Sequence, residues 1–326
     1  MAETKIGEMS DNILFRDLRK SDLNDFLNLL QTCFAEEFEV SGFDPDHVAE
    51  MFNRGLGRGG RLVLGLMRLF GKEPVKFLVA EANGKIVGTT IVNNRRRFGY
   101  ISTVMVHPDY RRKGIATRFM ADALNYLQKR KMAGAVLQVI STNTNAKSLY
   151  VKLGFKTFEH TAYFIRETSS MPVLENDSEV KIRKFHKKDL DQVFNLIKGS
   201  EDPNSLRIFG FTKKDLTTPL LQRVFGFATQ EKLVATLGNR IVGYVEATYT
   251  TPKEAGRIDS ISVNSQDRSL GVERLLVEGA CKEIAEAGVT RIRLTAPTTK
   301  QELIEAVEDL GFKEIVIMDS MVTEFR

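Results

Sequence analysis

The sequence predicts an α+β protein made of two copies of one domain. Two observations carry this. Short β-prone runs alternate with longer amphipathic ones, and the same order of elements appears twice along the chain. The second copy also repeats residues: FRDLRKSDL at 15–23 returns as IRKFHKKDL at 182–190, NGKIVG at 83–88 as GNRIVG at 238–243, and Leu153-Gly154-Phe155 as Leu310-Gly311-Phe312. Gly154 and Gly311 stand 157 residues apart, as do Val106 and Val263, so the register is constant through the last part of each copy. Two units of such a long period are homologous domains, not a solenoid. The expected division is a first domain over 1–167, a polar linker broken by Pro172 over 168–179, and a second domain over 180–326.

In the first copy a strand is expected near 13–17, then a helix from Ser21, a plausible N-cap, to Glu36. Residues 44–70 read as helical but glycine-interrupted. Strands near 75–81 and 85–93 meet at an Asn83-Gly84 turn, the pair that favours a tight hairpin. A strand over 98–106 is stopped by Pro108. Arg111, Arg112, Lys113 and Gly114 follow, and the amphipathic run IATRFMADAL continues as a helix over 114–130. A strand at 135–140 leads to Asn143, which can cap a helix over 144–153 with Ala146, Leu149, Tyr150 and Leu153 on one face. Gly154 ends that helix, and a closing strand lies near 155–166.

The stretch VMVHPDYRRKGIA at 104–116 carries the chemistry. A helix starting after Gly114 aims its free amides and positive dipole end at the basic turn, which makes a site for an anion such as a pyrophosphate. Gly114 and Ala116 leave room for that anion to reach the backbone. R-x-x-G-x-A at 111–116, followed by N-x-x-A-x-x-L-Y-x-x-x-G-F at 143–155, resembles the GNAT superfamily of N-acetyltransferases.

The resemblance implies a mixed, mostly antiparallel sheet flanked by helices, whose central strands splay. It implies acetyl-CoA as cosubstrate and no metal. Backbone groups of Val104, Met105 and Val106 would hold the pantetheine arm. Arg111, Arg112, Lys113, Gly114, Ile115, Ala116 and Thr117 would cradle the pyrophosphate. Asn143 and Ala146 would also contact the cofactor, and Tyr150 would act as general acid on the departing thiolate. The acceptor would be an amine on a small molecule or a protein. No general base stands out: Ser102 and Thr103 occupy the strand where many family members carry a glutamate, and Glu36, Glu37, Glu39 and Glu81 remain candidates. A non-catalytic acyl-CoA-binding regulatory or scaffold protein is the alternative.

The second copy departs from this pattern. At the 157-residue spacing Arg111 becomes Arg268 and Gly114 becomes Gly271, but Ala116 becomes Glu273, Asn143 becomes Lys300 and Tyr150 becomes Val307. A carboxylate at the pyrophosphate position repels the ligand, so this copy is expected not to bind CoA.

Composition narrows the rest. A net charge of +5 over 326 residues is small for a nucleic-acid binder, and no aromatic-studded basic sheet motif accompanies it. The cluster Arg95-Arg96-Arg97 reads as a solvated hairpin tip. The two cysteines, Cys33 and Cys281, and the four histidines match no metal spacing. Residues 1–12 lack the apolar core of a signal peptide, and the run at 62–70 is too short to span a bilayer. A cytoplasmic protein is the resulting expectation. The glycine- and arginine-rich segment 54–70 is a candidate acceptor-shaping element or lid.

Overall fold

The computed structural model describes residues 13–41, 75–94, 97–168, 178–217, 228–250 and 255–325, with the backbone alone described over 34–41. The stretch 44–70 expected to be helical, which includes the segment 54–70, lies outside these residues, as do Arg95, Arg96 and most of the linker. The first copy contains β1 (Leu14–Asp17), α1 (Leu23–Ser41), β2 (Val75–Ala82), β3 (Lys85–Asn93), β4 (Phe98–Val106), α2 (Ile115–Lys129), β5 (Gly134–Ile140), α3 (Thr144–Lys152) and β6 (Lys156–Glu167). The second contains β7 (Lys181–Lys184), α4 (Leu190–Ser200), α5 (Pro203–Phe209), β8 (Ala228–Leu237), β9 (Arg240–Thr250), β10 (Ala255–Val263), α6 (Val272–Glu286), β11 (Arg291–Pro297), α7 (Gln301–Asp309) and β12 (Lys313–Glu324).

Each copy opens with the same clamp. Arg16 donates from both terminal nitrogens to Asp22, at 2.6 and 3.0 Å, and Asp22 accepts the Arg19 N–H at 2.7 Å. Arg183, Asp189 and the N–H of His186 repeat the arrangement at 2.6, 2.9 and 2.8 Å. The fork ties the first strand to the first helix and satisfies a donor at the helix entry. Ser21 is not the N-cap: it lies inside a short 3₁₀ turn over Lys20–Asp22 that precedes α1, with Arg19 as the cap residue.

The sheets are antiparallel along β1-β2-β3-β4 and along β7-β8-β9-β10, while β4–β5 and β10–β11 are parallel. The repeated Ile-Val-Gly explains itself here. A Cβ on Gly88 would lie 3.0 Å from both the Met105 carbonyl and the Phe119 ring, and one on Gly243 would lie 2.8 Å from Leu276 and Val272. Only glycine lets α2 and α6 sit this close to the sheet. Phe119, Met120, Ala123 and Leu127 of α2, and Leu276, Val277, Ala280 and Ile284 of α6, are fully buried in these contacts.

The compact units do not follow the sequence copies. One comprises Met1–Gln138, Ser148–Lys156 and Val322–Arg326; the other comprises Val139–Lys147 and Thr157–Met321. The closing strand of the first copy thus belongs to the second unit, where β6 pairs antiparallel with β11 from Glu167↔Arg291 to Thr161↔Pro297. Ala162 and Phe164 of β6 sit in that unit's core with Ile292, Leu294 and Ala296. The chain's last residues close the first unit: Phe325 N–H donates to the Ala133 carbonyl at 2.9 Å. The exchange is reciprocal in detail. Ser141 N–H donates to the Ile317 carbonyl and Thr298 N–H to the His160 carbonyl, both at 2.9 Å, and each pair is the other moved by 157 residues.

A cut in the linker therefore removes β6 from the second unit and leaves the edge of β11 bare. Residues 180–326 expressed alone should aggregate or melt without a cooperative transition, and co-expression with residues 1–168 should restore a soluble complex on size exclusion. A monomeric fragment that melts cooperatively would contradict the exchange.

Candidate active site

The ladder between β4 and β5 pairs Phe98–Tyr100 with Gly134–Val136 and ends there, although both strands continue. Beyond Tyr100 the backbone of β4 on that side has groups to offer another extended chain. On its other side β4 is bulged. Thr89 opposes Met105 and Ile91 opposes Ser102, so Thr103 and Val104 share one position of β3. Thr103 takes φ +56°, a region costly for a β-branched residue. The equivalent Ser260 takes φ +50° at the matching irregularity of β10. This re-aimed backbone is a feature the sequence conceals, because no glycine marks it.

The basic turn follows directly. Pro108–Tyr110 form a 3₁₀ turn capped by His107, whose Nδ1 accepts the Asp109 N–H, so His107 is a turn residue. Arg111 Nε donates to the Val106 carbonyl at 3.2 Å and ties the turn to the strand. Arg112 takes φ +64° and Gly114 φ +79°, with Gly114 as N-cap of α2. The space where a Cβ of Gly114 would go is open, with no atom within 4 Å. Arg111, Arg112, Lys113, Gly114 and Thr117 are exposed and Ala116 is half-buried. Met105 and Ile115 are buried core side chains, at 2 % and 1 % exposure, so what they can offer a ligand is backbone. An exposed basic turn, a left-handed glycine and the first amides of a helix of fifteen residues together form a cradle for an anion.

Asn143 caps α3 by accepting the Ala146 N–H at 3.1 Å, which leaves its side-chain NH₂ available as a donor. Tyr150 lies near the end of that helix, 6 % exposed, its ring beside Phe155. Burial pushes its phenol up to about 12. Val104, Met105, Val106, the cradle and Tyr150 belong to the first compact unit; Asn143 and Ala146 belong to the second. Of the candidate bases, Glu81 is tied to Arg16 at 2.6 Å and serves the opening clamp. The side chains of Glu36, Glu37 and Glu39 lie outside the described residues.

Comparison with known proteins gives this geometry a context. The model of the Acetyltransferase (GNAT) family matches residues 23–155. An acetyltransferase of Pectobacterium atrosepticum is 31% identical over 96 residues, which are 29% of this chain and 68% of that protein. The chain belongs to the GNAT acetyltransferase family. A mycothiol acetyltransferase of Streptomyces bingchenggensis is 33% identical over 98 residues, 29% of this chain, and the match spans only 32% of that protein's length. Among solved structures, a tandem GNAT protein from the clavulanic acid biosynthesis pathway superposes with a TM-score of 0.62 at 13% identity, covering 96% of this chain and 98% of that one. The tandem GNAT fold accounts for both copies.

The second GNAT copy keeps the frame and fills the site. Gly271 caps α6 at φ +66°, as Gly114 caps α2. Lys300, in the place of Asn143, donates to the Ile261 carbonyl at 3.1 Å and pairs with Glu201 at 2.7 Å. Ile261 stands where Val104 stands in the first copy. Glu201 also accepts the Ser262 hydroxyl at 2.6 Å. Glu273, in the place of Ala116, is 6 % exposed; burial pushes its carboxyl up, and Arg268 lies 3.8 Å away. Between these groups remains a cavity of about 10 Å³, room for one water. Lys300→Met should leave the Ile261 carbonyl without its side-chain donor and Glu201 without its cation, with Ser262 alone, and cost about 2 kcal/mol in urea unfolding. Adding Glu201→Gln should recover part of that loss, whereas strictly additive losses would mean the pair is uncoupled.

Among the described residues no helix is long and apolar enough to cross a membrane.

Proposed function

We propose that the chain is an acetyl-CoA-dependent N-acetyltransferase, with residues 1–167 as the catalytic copy and residues 180–326 as a copy that does not bind CoA. The observation that carries this reading is the run from the bulged, open-sided β4 into the glycine-capped cradle. An extended arm and a pyrophosphate need these two surfaces in this order.

Acetyl-CoA supplies an acetyl group already activated as a thioester. Arg111, Arg112 and Lys113 contribute charge to its pyrophosphate, and the first amides of α2 contribute hydrogen bonds. Val104 and Val106 hold the pantetheine arm through their backbone groups. A backbone N–H at the bulge is fixed before the ligand arrives and stabilises negative charge on the carbonyl oxygen. The Tyr150 phenol, raised to about 12, stays protonated across the working range and donates from Oη toward sulfur. Complete transfer to a thiolate of ordinary pKa, about 8.5, would be uphill by roughly three to four pH units. Tyr150 therefore works chiefly as a hydrogen-bond donor to the leaving sulfur, with the final proton coming from solvent. Glu81 is held by Arg16, so the amine acceptor, small molecule or protein, loses its proton to water or to one of Glu36, Glu37 and Glu39.

Steady-state release of free CoA across a panel of amines tests this. The wild type should turn over with at least one amine class. Tyr150→Phe should lower kcat by about 10- to 100-fold while KM for acetyl-CoA stays within about twofold. Tight acetyl-CoA binding with no turnover across the panel would favour the regulatory acyl-CoA-binding alternative.

A further inference from the structure

We propose that Arg257, Arg291 and Arg293 form a binding site for a phosphate group on the sheet of the second unit, separate from the acetyl-CoA site. The strand register puts them together. Arg257 of β10 is directly paired with Arg293 of β11, and Arg291 lies two residues earlier on the same strand. Neighbouring strands are about 4.8 Å apart, and residues two apart share a face. Ile258, Ile292 and Leu294 are fully buried and point the other way, into the core with α6. Three guanidinium groups thus share one small patch of the opposite face.

Two of the three have a carboxylate. Arg257 Nε donates to Asp259 at 2.8 Å and Arg291 Nε to Glu167 at 2.9 Å. Arg293 has no hydrogen-bond or ion-pair partner among the described residues, and its Nε is fully buried. Among the described residues these three guanidiniums and their two carboxylates leave one positive charge over, on the half-buried member. Burial, and then the neighbouring Arg291 and Arg257, hold its guanidinium below the ordinary range, the direction expected of a cation lacking its counter-ion.

An unpartnered buried donor is costly, and a sheet position can do without one. The first copy makes this plain: at the 157-residue spacing Arg257, Arg291 and Arg293 correspond to Tyr100, Gly134 and Val136, none of them charged. The patch is thus particular to the second copy and not a remnant of the cradle. A tetrahedral oxyanion supplies what is missing. It can accept from the fork of Arg293 and from the flanking nitrogens of Arg257 and Arg291, and planar guanidinium groups suit this recognition.

The test is a calorimetric titration of sodium phosphate at fixed ionic strength into the full chain carrying Gly114→Glu, which closes the first copy's cradle. One phosphate site should remain. Arg293→Lys, which keeps the charge and loses the fork, should weaken it at least about fivefold, and Arg293→Met should abolish it. Phenyl phosphate run in parallel separates the sources: tighter binding than phosphate assigns a phosphomonoester, weaker binding assigns free phosphate. Absence of any phosphate site, or binding unchanged by Arg293→Lys, overturns the proposal. Neither result bears on acetyl transfer, because these residues are outside the first copy.

Discussion

The pairing of β6 with β11 is the constraint on which the rest depends. A strand edge left open inside a folded chain exposes a row of unpaired amides and carbonyls, so each sheet must be closed by something. Here the first copy's closing strand completes the second unit, through seven residue pairs from Glu167↔Arg291 to Thr161↔Pro297. The chain's final residues complete the first, with Phe325 bonded to Ala133. The second copy is therefore required for the fold of the first whether or not it has any chemistry of its own. Departures such as Lys300 for Asn143 and Glu273 for Ala116 leave its closing strand intact.

The same frame thus has two fates. Both copies keep the Arg–Asp clamp, the close-packing glycine, the positive-φ residue in the bulge and the left-handed glycine before the long helix. The space beside the capping glycine is open in both, at Gly114 and at Gly271, so the difference lies in the side chains around it. In the second, the Lys300 ammonium bonds to the β10 carbonyl that corresponds to Val104, and Glu273 is buried where Ala116 leaves room. Breaking such a half-buried pair by removing one partner is costly, whatever the net worth of the intact pair.

Much of this was legible in the sequence, and the reasons for the rest are physical. Alternating apolar runs, Pro108, Gly154 and the Asn83-Gly84 turn placed the described strands and helices of the first copy to within about five residues, the first helix running on to Ser41, because those signals are local. Gly114 was legible as the residue that leaves an anion room to reach the backbone, because glycine has no side chain. The strand exchange was not: residues 156–167 have the same pattern of side chains whichever sheet they join, so the pattern selects a face and not a neighbour. The bulge was hidden because Thr103 and Ser260 occupy positive φ without a glycine to mark it. Lys300 was visible as a departure from Asn143, but its partner Glu201 lies at the end of α4, in no repeated motif.

The most direct measurement is the stoichiometry of acetyl-CoA binding to the full-length chain by titration calorimetry. One site per chain, abolished by Gly114→Glu, is the predicted result, since Glu273 stands in the second copy where the first has Ala116. Two sites, or one site that survives Gly114→Glu, would contradict the assignment of an open first cleft and a closed second one.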